Sequence, residues 1–106
     1  MRTAPTFDEI SRRVLEVFPK TAKIVLFGSR ASQTHSPDSD FDLLVVTPTD
    51  LPPATRSTKL RLALKGLEAG FDIIVVTPQE LEQLRNWQSS VVCVALREGK
   101  VLHEAA

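Results

Sequence analysis

The sequence predicts an α/β (α+β) fold, a small mixed β-sheet covered by helices. Three observations predict it. Apolar runs of five or six residues, "KIVLF", "FDLLVV" and "FDIIVV", have the length and β-branched content of strands. Segments of helical period alternate with them, which points to helices layered on a sheet. The link from Phe27 to Phe41 is too short for a comfortable parallel crossover holding a full helix. The first two strands are therefore expected to be antiparallel or nearly so, and the sheet mixed.

Each element has its own signal. Thr6 and Glu9 have the spacing of a capping box, and Phe7, Ile10, Val14 and Val17 follow on one helical face. A helix over 7–18 is expected, with Pro19 helping to end it. "KIVLF" is apolar after its first residue and β-branched-rich, as strands buried on both faces are. Gly28 breaks it, and "RASQ" is a candidate short helix. "FDLLVV" is the second strand, and "TPTDLPP" a loop. Leu60, Leu64 and Leu67 mark one face of a helix over roughly 55–68, with Gly66 and Gly70 loosening and closing its end. "FDIIVV" is the third strand. Thr77-Pro78-Gln79-Glu80 is a second capping box with Pro at the first helical position, opening a helix that carries Leu81, Leu84 and Trp87. A last helix is expected from Ser89 or Ser90 to Gly99, then a short edge strand, "KVLHE".

Length and composition bound the function. The 106 residues fit one small domain, residues 1–106. Thirteen basic and thirteen acidic residues cancel, so no global field favours broad nucleic-acid binding. One cysteine, Cys93, excludes an internal disulfide framework and suits a reducing compartment. No apolar run approaches the roughly 20 residues that span a bilayer. "MRTAPTFDEI" lacks the apolar core of a signal peptide. A soluble, cytoplasmic protein is expected, with no membrane partner. Apolar strands on so small a domain leave room for a homo- or hetero-oligomer.

Charge stands where the second strand should begin. Asp40 and Asp42 are two residues apart, so they point to one face, with Cα atoms about 6.5–7 Å from each other. Carboxylates that close repel, and either a proton or a cation relieves them. Mg²⁺ is such a cation; it takes oxygen ligands and commonly keeps places for water and substrate phosphates. "GFDIIVV" echoes "DFDLLVV". If these strands are neighbours, Asp72 joins Asp40 and Asp42, and a site for two Mg²⁺ ions becomes feasible. Asp38, within Pro37-Asp38-Ser39, is read as part of a turn.

Gly28-Ser29 directly follows the first strand. Glycine lets the backbone approach a ligand or take positive φ, and Ser29 offers a hydroxyl and an N–H. Together they are candidates to hold the terminal phosphates of a nucleotide. Arg30 is a candidate for added positive charge there, with pairing to one of the acids as the alternative. No Walker loop is present.

Gly28-Ser29, ten intervening residues and Asp40-Phe41-Asp42 before an apolar run resemble the signature of polymerase-β-like nucleotidyltransferases. The finer pattern "GSRA…PDSDFDLLVV" is similar to that of the minimal nucleotidyltransferases, the MNT family. The leading helix, "FDIIVVTP" and "ALREGKVL" also match that layout. The resemblance implies the nucleotidyltransferase fold. It implies that Asp40 and Asp42 bind metal, that Asp72 is the third carboxylate, and that Gly28 and Ser29 grip a triphosphate. It implies Mg²⁺-dependent transfer of a nucleoside monophosphate, commonly AMP from ATP or another NTP, to a hydroxyl. Small members pair with a HEPN-domain RNase toxin and act as antitoxins by adenylylating its tyrosine. One departure is visible: Gln33 stands where the family often has Gly.

Two rival readings remain open at this point. One is a non-catalytic module that binds nucleotide or masks a toxin. The other is a small-molecule nucleotidyltransferase, which usually carries an added helical domain. Arg56, Lys59, Arg61 and Lys65 form a basic set on or near the middle helix, read as a solvated face with a partner or nucleotide contact as the alternative. His35 is read as a solvated loop residue, His103 as surface and Cys93 as a buried apolar filler.

Overall fold

The computed structural model describes residues 5–28, 40–67, 69–87 and 89–105. Eight elements follow in order: α1 (Phe7–Val17), β1 (Lys23–Phe27), β2 (Phe41–Val46), α2 (Pro53–Ala63), β3 (Phe71–Val76), α3 (Pro78–Leu84), α4 (Val91–Glu98) and β4 (Lys100–Glu104). The candidate short helix at "RASQ" lies outside the described residues.

Local signals place most of these elements. Thr6 caps α1 through a reciprocal pair of bonds with Glu9, and Thr77 does the same for α3 with Glu80. Ser90 accepts from the Cys93 N–H to start α4, and Gly99 ends it. The sheet order is β3-β2-β1-β4. β1 runs antiparallel to β2 and β4, while β2 and β3 are parallel. The sheet is thus mixed, as the short link between the first two strands requires, and β4 is at its edge.

Strand alternation divides the core in two. Ile24, Leu26, Leu43, Val45, Ile73 and Val75 face one way, against Ile10 and Val14 of α1 and Leu60 of α2. Val25, Leu44, Val46 and Val76 face the other way, against Val92 and Ala95 of α4. The sheet is therefore buried on both faces over its central rows. Among the described residues no helix is long and apolar enough to cross a membrane.

Three local expectations are corrected. α2 starts at Pro53 and stops at Ala63, where a helix over roughly 55–68 is expected from the leucines. Its start uses the tolerance of the first turn for proline. Its end is taken by a distant residue: the Arg13 Nη1 donates to the carbonyls of Ala63 and Lys65, at 3.1 and 3.2 Å. Trp87 lies beyond α3 and is exposed. Cys93 is only half-buried, and its Sγ donates to the Leu84 carbonyl at 3.2 Å.

Arg56 overturns the reading of a wholly solvated basic face. It is 6 % exposed. Its Nε donates to the Leu51 carbonyl at 2.7 Å and its Nη1 to the Val75 carbonyl at 3.3 Å. The guanidinium forks onto both Glu80 oxygens, at 2.7 and 3.2 Å. The hydrogen bond from Arg56 and the Thr77 N–H hold the Glu80 carboxyl below the usual range. With a lowered folded pKa, Glu80 stabilises the fold above its ordinary pKa, and this is lost as pH falls through the folded value. The cluster ties α2, β3 and α3 together.

Removing Glu80 leaves Arg56 buried without its anion and removes a capping box. The Glu80 side chain is 38 % exposed, so water screens part of the loss. Glu80→Ala should therefore cost about 2–3 kcal/mol, below the full penalty for breaking a deeply buried pair. Urea unfolding at neutral pH measures it. A loss under about 0.5 kcal/mol, the range of ordinary surface changes, would contradict this role.

Candidate active site

The parallel register of β2 and β3 brings two of the predicted acids together. Phe41 aligns with Phe71, and Asp42 with Asp72. The Phe41 and Phe71 rings stack at 5.4 Å between centroids. Alternation then sends Asp42 and Asp72 to the opposite face, where the Asp42 carboxyl feels the charge of Asp72. Asp40 is exposed and immediately precedes β2. The Phe41 N–H donates to the Gly70 carbonyl at 3.0 Å, which extends the pairing back to the level of Asp40.

Two glycines make room for these carboxylates. Gly28 follows Phe27, which faces Asp42 across the β1–β2 pairing. It has φ 77°, a conformation that disfavours side chains, and a methyl there would strike the Asp42 carboxylate. Gly70 has no such conformational need. A methyl there would strike the Asp40 carboxylate. Gly28 is expected as a phosphate-loop glycine; its observed neighbour is an acid. Gly70 is expected as a helix terminator; the turns after α2 end earlier, at Gly66.

Burial raises the Asp42 pKa above the ordinary carboxylate value, with the charges of Asp72 and Asp40 and the hydrogen bond to Asp72 adding to it. Among the described residues, no group of three His, Cys, Asp or Glu side chains surrounds one metal position. The donor set nevertheless suits a hard divalent cation. Carboxylate oxygens crowd at a strand mouth, two glycines let them lie against the backbone, and a cation would relieve their repulsion.

Ser29 and Arg30 lie outside the described residues, as do Gln33, His35 and Asp38. On the β3 side of the acids an open cleft of about 490 Å³ is lined by Asp40, Asp72, Arg61, Lys65 and, after α2, by Leu64, Gly66, Leu67, Ala69, Gly70 and Phe71. Two members of the expected basic set thus stand beside the acids, while Arg56 does not. His103 is half-buried on β4, opposite Ile24.

A family model described as a nucleotidyltransferase domain matches residues 7–102. Several solved structures share the fold. One is a toxin–antitoxin with AMP-PNP, 22 % identical with TM-score 0.70, the match covering 95 % of this chain and 75 % of that one. Another is the toxin–antitoxin MntA–HepT, 20 % identical with TM-score 0.61, covering 93 % and 70 %. A third is a tri-AMPylated Shewanella oneidensis HEPN toxin in complex with MNT antitoxin, 22 % identical with TM-score 0.60, covering 93 % and 70 %. Identities this low carry the fold and no more. No curated protein matches the sequence.

Two outcomes are expected. With its folded pKa raised, Asp42 binds more protons folded than unfolded between its ordinary and folded pKa values, so stability falls as pH rises through that window. In metal-free buffer Asp42→Asn should therefore melt higher than the wild type at pH 7. The difference should close below about pH 3.5, where the acid is protonated in both states. A lower melting temperature for Asp42→Asn at pH 7 would contradict the repulsion. Gly70→Ala should unfold within about 1 kcal/mol of the wild type, because the exposed Asp40 side chain can turn aside. Its Mg²⁺ affinity, read by calorimetry, should fall at least about fivefold; unchanged affinity would show that the space beside Asp40 is not used.

Proposed function

The chain belongs to the nucleotidyltransferase domain family, and from that premise we propose that it transfers AMP from ATP to a tyrosine of a HEPN-type partner and so acts as an antitoxin. The whole chain serves as one nucleotidyltransferase domain in this reading. The observation that carries it is the pairing of Asp42 with Asp72 beside two glycines, Gly28 and Gly70, that let the Asp42 and Asp40 carboxylates lie against the backbone. The similar solved structures include a toxin–antitoxin with AMP-PNP and an AMPylated HEPN toxin with its MNT antitoxin, which supports both donor and acceptor.

Asp40, Asp42 and Asp72 would hold Mg²⁺, with two ions as the proposed number. When bound, Mg²⁺ neutralises phosphate charge and lowers the pKa of a bound hydroxyl. The chain's own residues do the rest. Gly28 and Ser29 bind the triphosphate through backbone N–H groups and the Ser29 hydroxyl, and Arg30 adds positive charge. Asp72 orients the acceptor and takes its proton. The acceptor oxygen forms a bond to the α-phosphorus as the bond from that phosphorus to the bridging oxygen breaks. Pyrophosphate leaves with the electron pair. Rate comes from positioning and charge neutralisation.

These 106 residues contain no tyrosine, so a labelled tyrosine lies outside them. The test uses purified protein, Mg²⁺, α-labelled ATP and a HEPN protein encoded beside it. Label should appear on the partner's tyrosine. Asp42→Asn and Asp72→Asn should each lower transfer by at least about 100-fold while the protein stays folded. Nucleotide binding without transfer from any of the four NTPs would favour a non-catalytic masking module instead.

A further inference from the structure

The cleft beside β3 has a lining that the transfer reaction does not itself require. Its apolar floor comes from Leu64, Leu67 and Phe71. Asp72 also lines it. Arg61 and Lys65 form a basic wall, both exposed. Among the described residues neither joins an ion pair, although Asp40 and Asp72 share the cleft with them. The wall is braced: Arg13 holds the Ala63 and Lys65 carbonyls, so the backbone carrying these cations is tied to α1.

Position separates this cleft from the Gly28 turn. The sheet order is β3-β2-β1-β4, so Gly28 flanks the acids from the β1 side and the cleft flanks them from the β3 side. In-line transfer puts the attacking and leaving oxygens on opposite sides of the phosphorus. With the triphosphate at Gly28, the hydroxyl enters from β3. On that transfer reading, we propose that the cleft is the acceptor subsite and that Arg61 and Lys65 select a tyrosine carried in an acidic polypeptide segment. The three parts of the lining match three parts of such a ligand. The apolar floor takes the ring, Asp72 meets the hydroxyl, and the cations meet neighbouring carboxylates. A volume of about 490 Å³ suits a side chain and its immediate neighbours. Charge at such a rim chiefly sets partner choice and association rate.

The test compares three fluorescent peptides, each with one tyrosine, set among glutamates, serines or lysines. Binding is read by anisotropy with Mg²⁺ and a non-hydrolysable ATP analogue. The wild type should bind the glutamate peptide at least about tenfold more tightly than the lysine peptide, and added salt should narrow the gap. Arg61→Glu with Lys65→Glu should abolish or reverse the preference. Its melting temperature and its affinity for the fluorescent ATP analogue should stay near wild type. Arg61→Lys with Lys65→Arg should keep the preference. Equal binding of the three peptides by the wild type would overturn the proposal. So would loss of ATP binding in the charge reversal, which would assign the cations to the phosphate side. Tighter binding of single-stranded RNA than of the glutamate peptide would overturn it in favour of a nucleic-acid acceptor. Transfer is scored separately with labelled ATP. Peptide discrimination without transfer supports the subsite and counts against the transferase reading alone.

Discussion

The in-register pairing of two Phe-Asp strand starts is the constraint on which the rest depends. Phe41 on Phe71 gives the pair an apolar anchor, and the alternation of the strands does the rest. With the rings on the core side, the carboxyls must meet on the other side. A slip of one residue would turn the rings out and the acids in, which the buried rows of β2 and β3 oppose at every position. The unfavourable pairing of Asp42 with Asp72 is thus held by favourable burial elsewhere in the same two strands. Leu43, Leu44 and Val45 are fully buried, and Ile73, Val75 and Val76 nearly so.

The same economy governs the space around the acids. A side chain at position 28 or 70 would fill the room beside Asp42 or Asp40, so both neighbours are glycine. The two positions differ in cause. Gly28 is also required by its backbone conformation, whereas Gly70 is required only by the space it leaves. Farther out, buried charge is spent on positioning. Arg56 and Glu80 fasten α2 to β3 and α3, and Arg13 fastens the turn that follows α2. That turn carries Lys65, so the Arg13 brace acts on the cleft wall as well as on the fold.

Most of the architecture was legible because it is written locally. Capping boxes at Thr6 and Thr77 mark helix starts, and the short Phe27–Phe41 link dictates an antiparallel pair. The echo of "DFDLLVV" in "GFDIIVV" pointed to neighbouring strands and so to Asp42 beside Asp72. What escaped was non-local. The end of α2 is set by Arg13, some fifty residues earlier, and nothing near Ala63 announces it. Arg56 did leave a trace. It falls four residues before Leu60 and eight before Leu64, on the buried stripe of the helix, and its charge hid that position. Gly70 also left one: aligning the two echoing segments sets it against Asp40, before any coordinates are known.

The sheet order gives the site its directionality. β2 is internal, so its acids have a strand on each side, but β3 is an edge. The β1 flank ends at Gly28, close against Asp42. The β3 flank opens on the cleft, and among the described residues no further strand covers the edge. In the proposed reading a free nucleotide takes the first flank. A side chain borne on another protein needs the second, because a protein-sized acceptor must keep its own bulk outside the sheet. The arrangement therefore accounts for how so small a domain could act on a macromolecular hydroxyl. In the proposed reading it supplies the carboxylates, one basic wall and an open edge, and a partner's own surface would complete the enclosure.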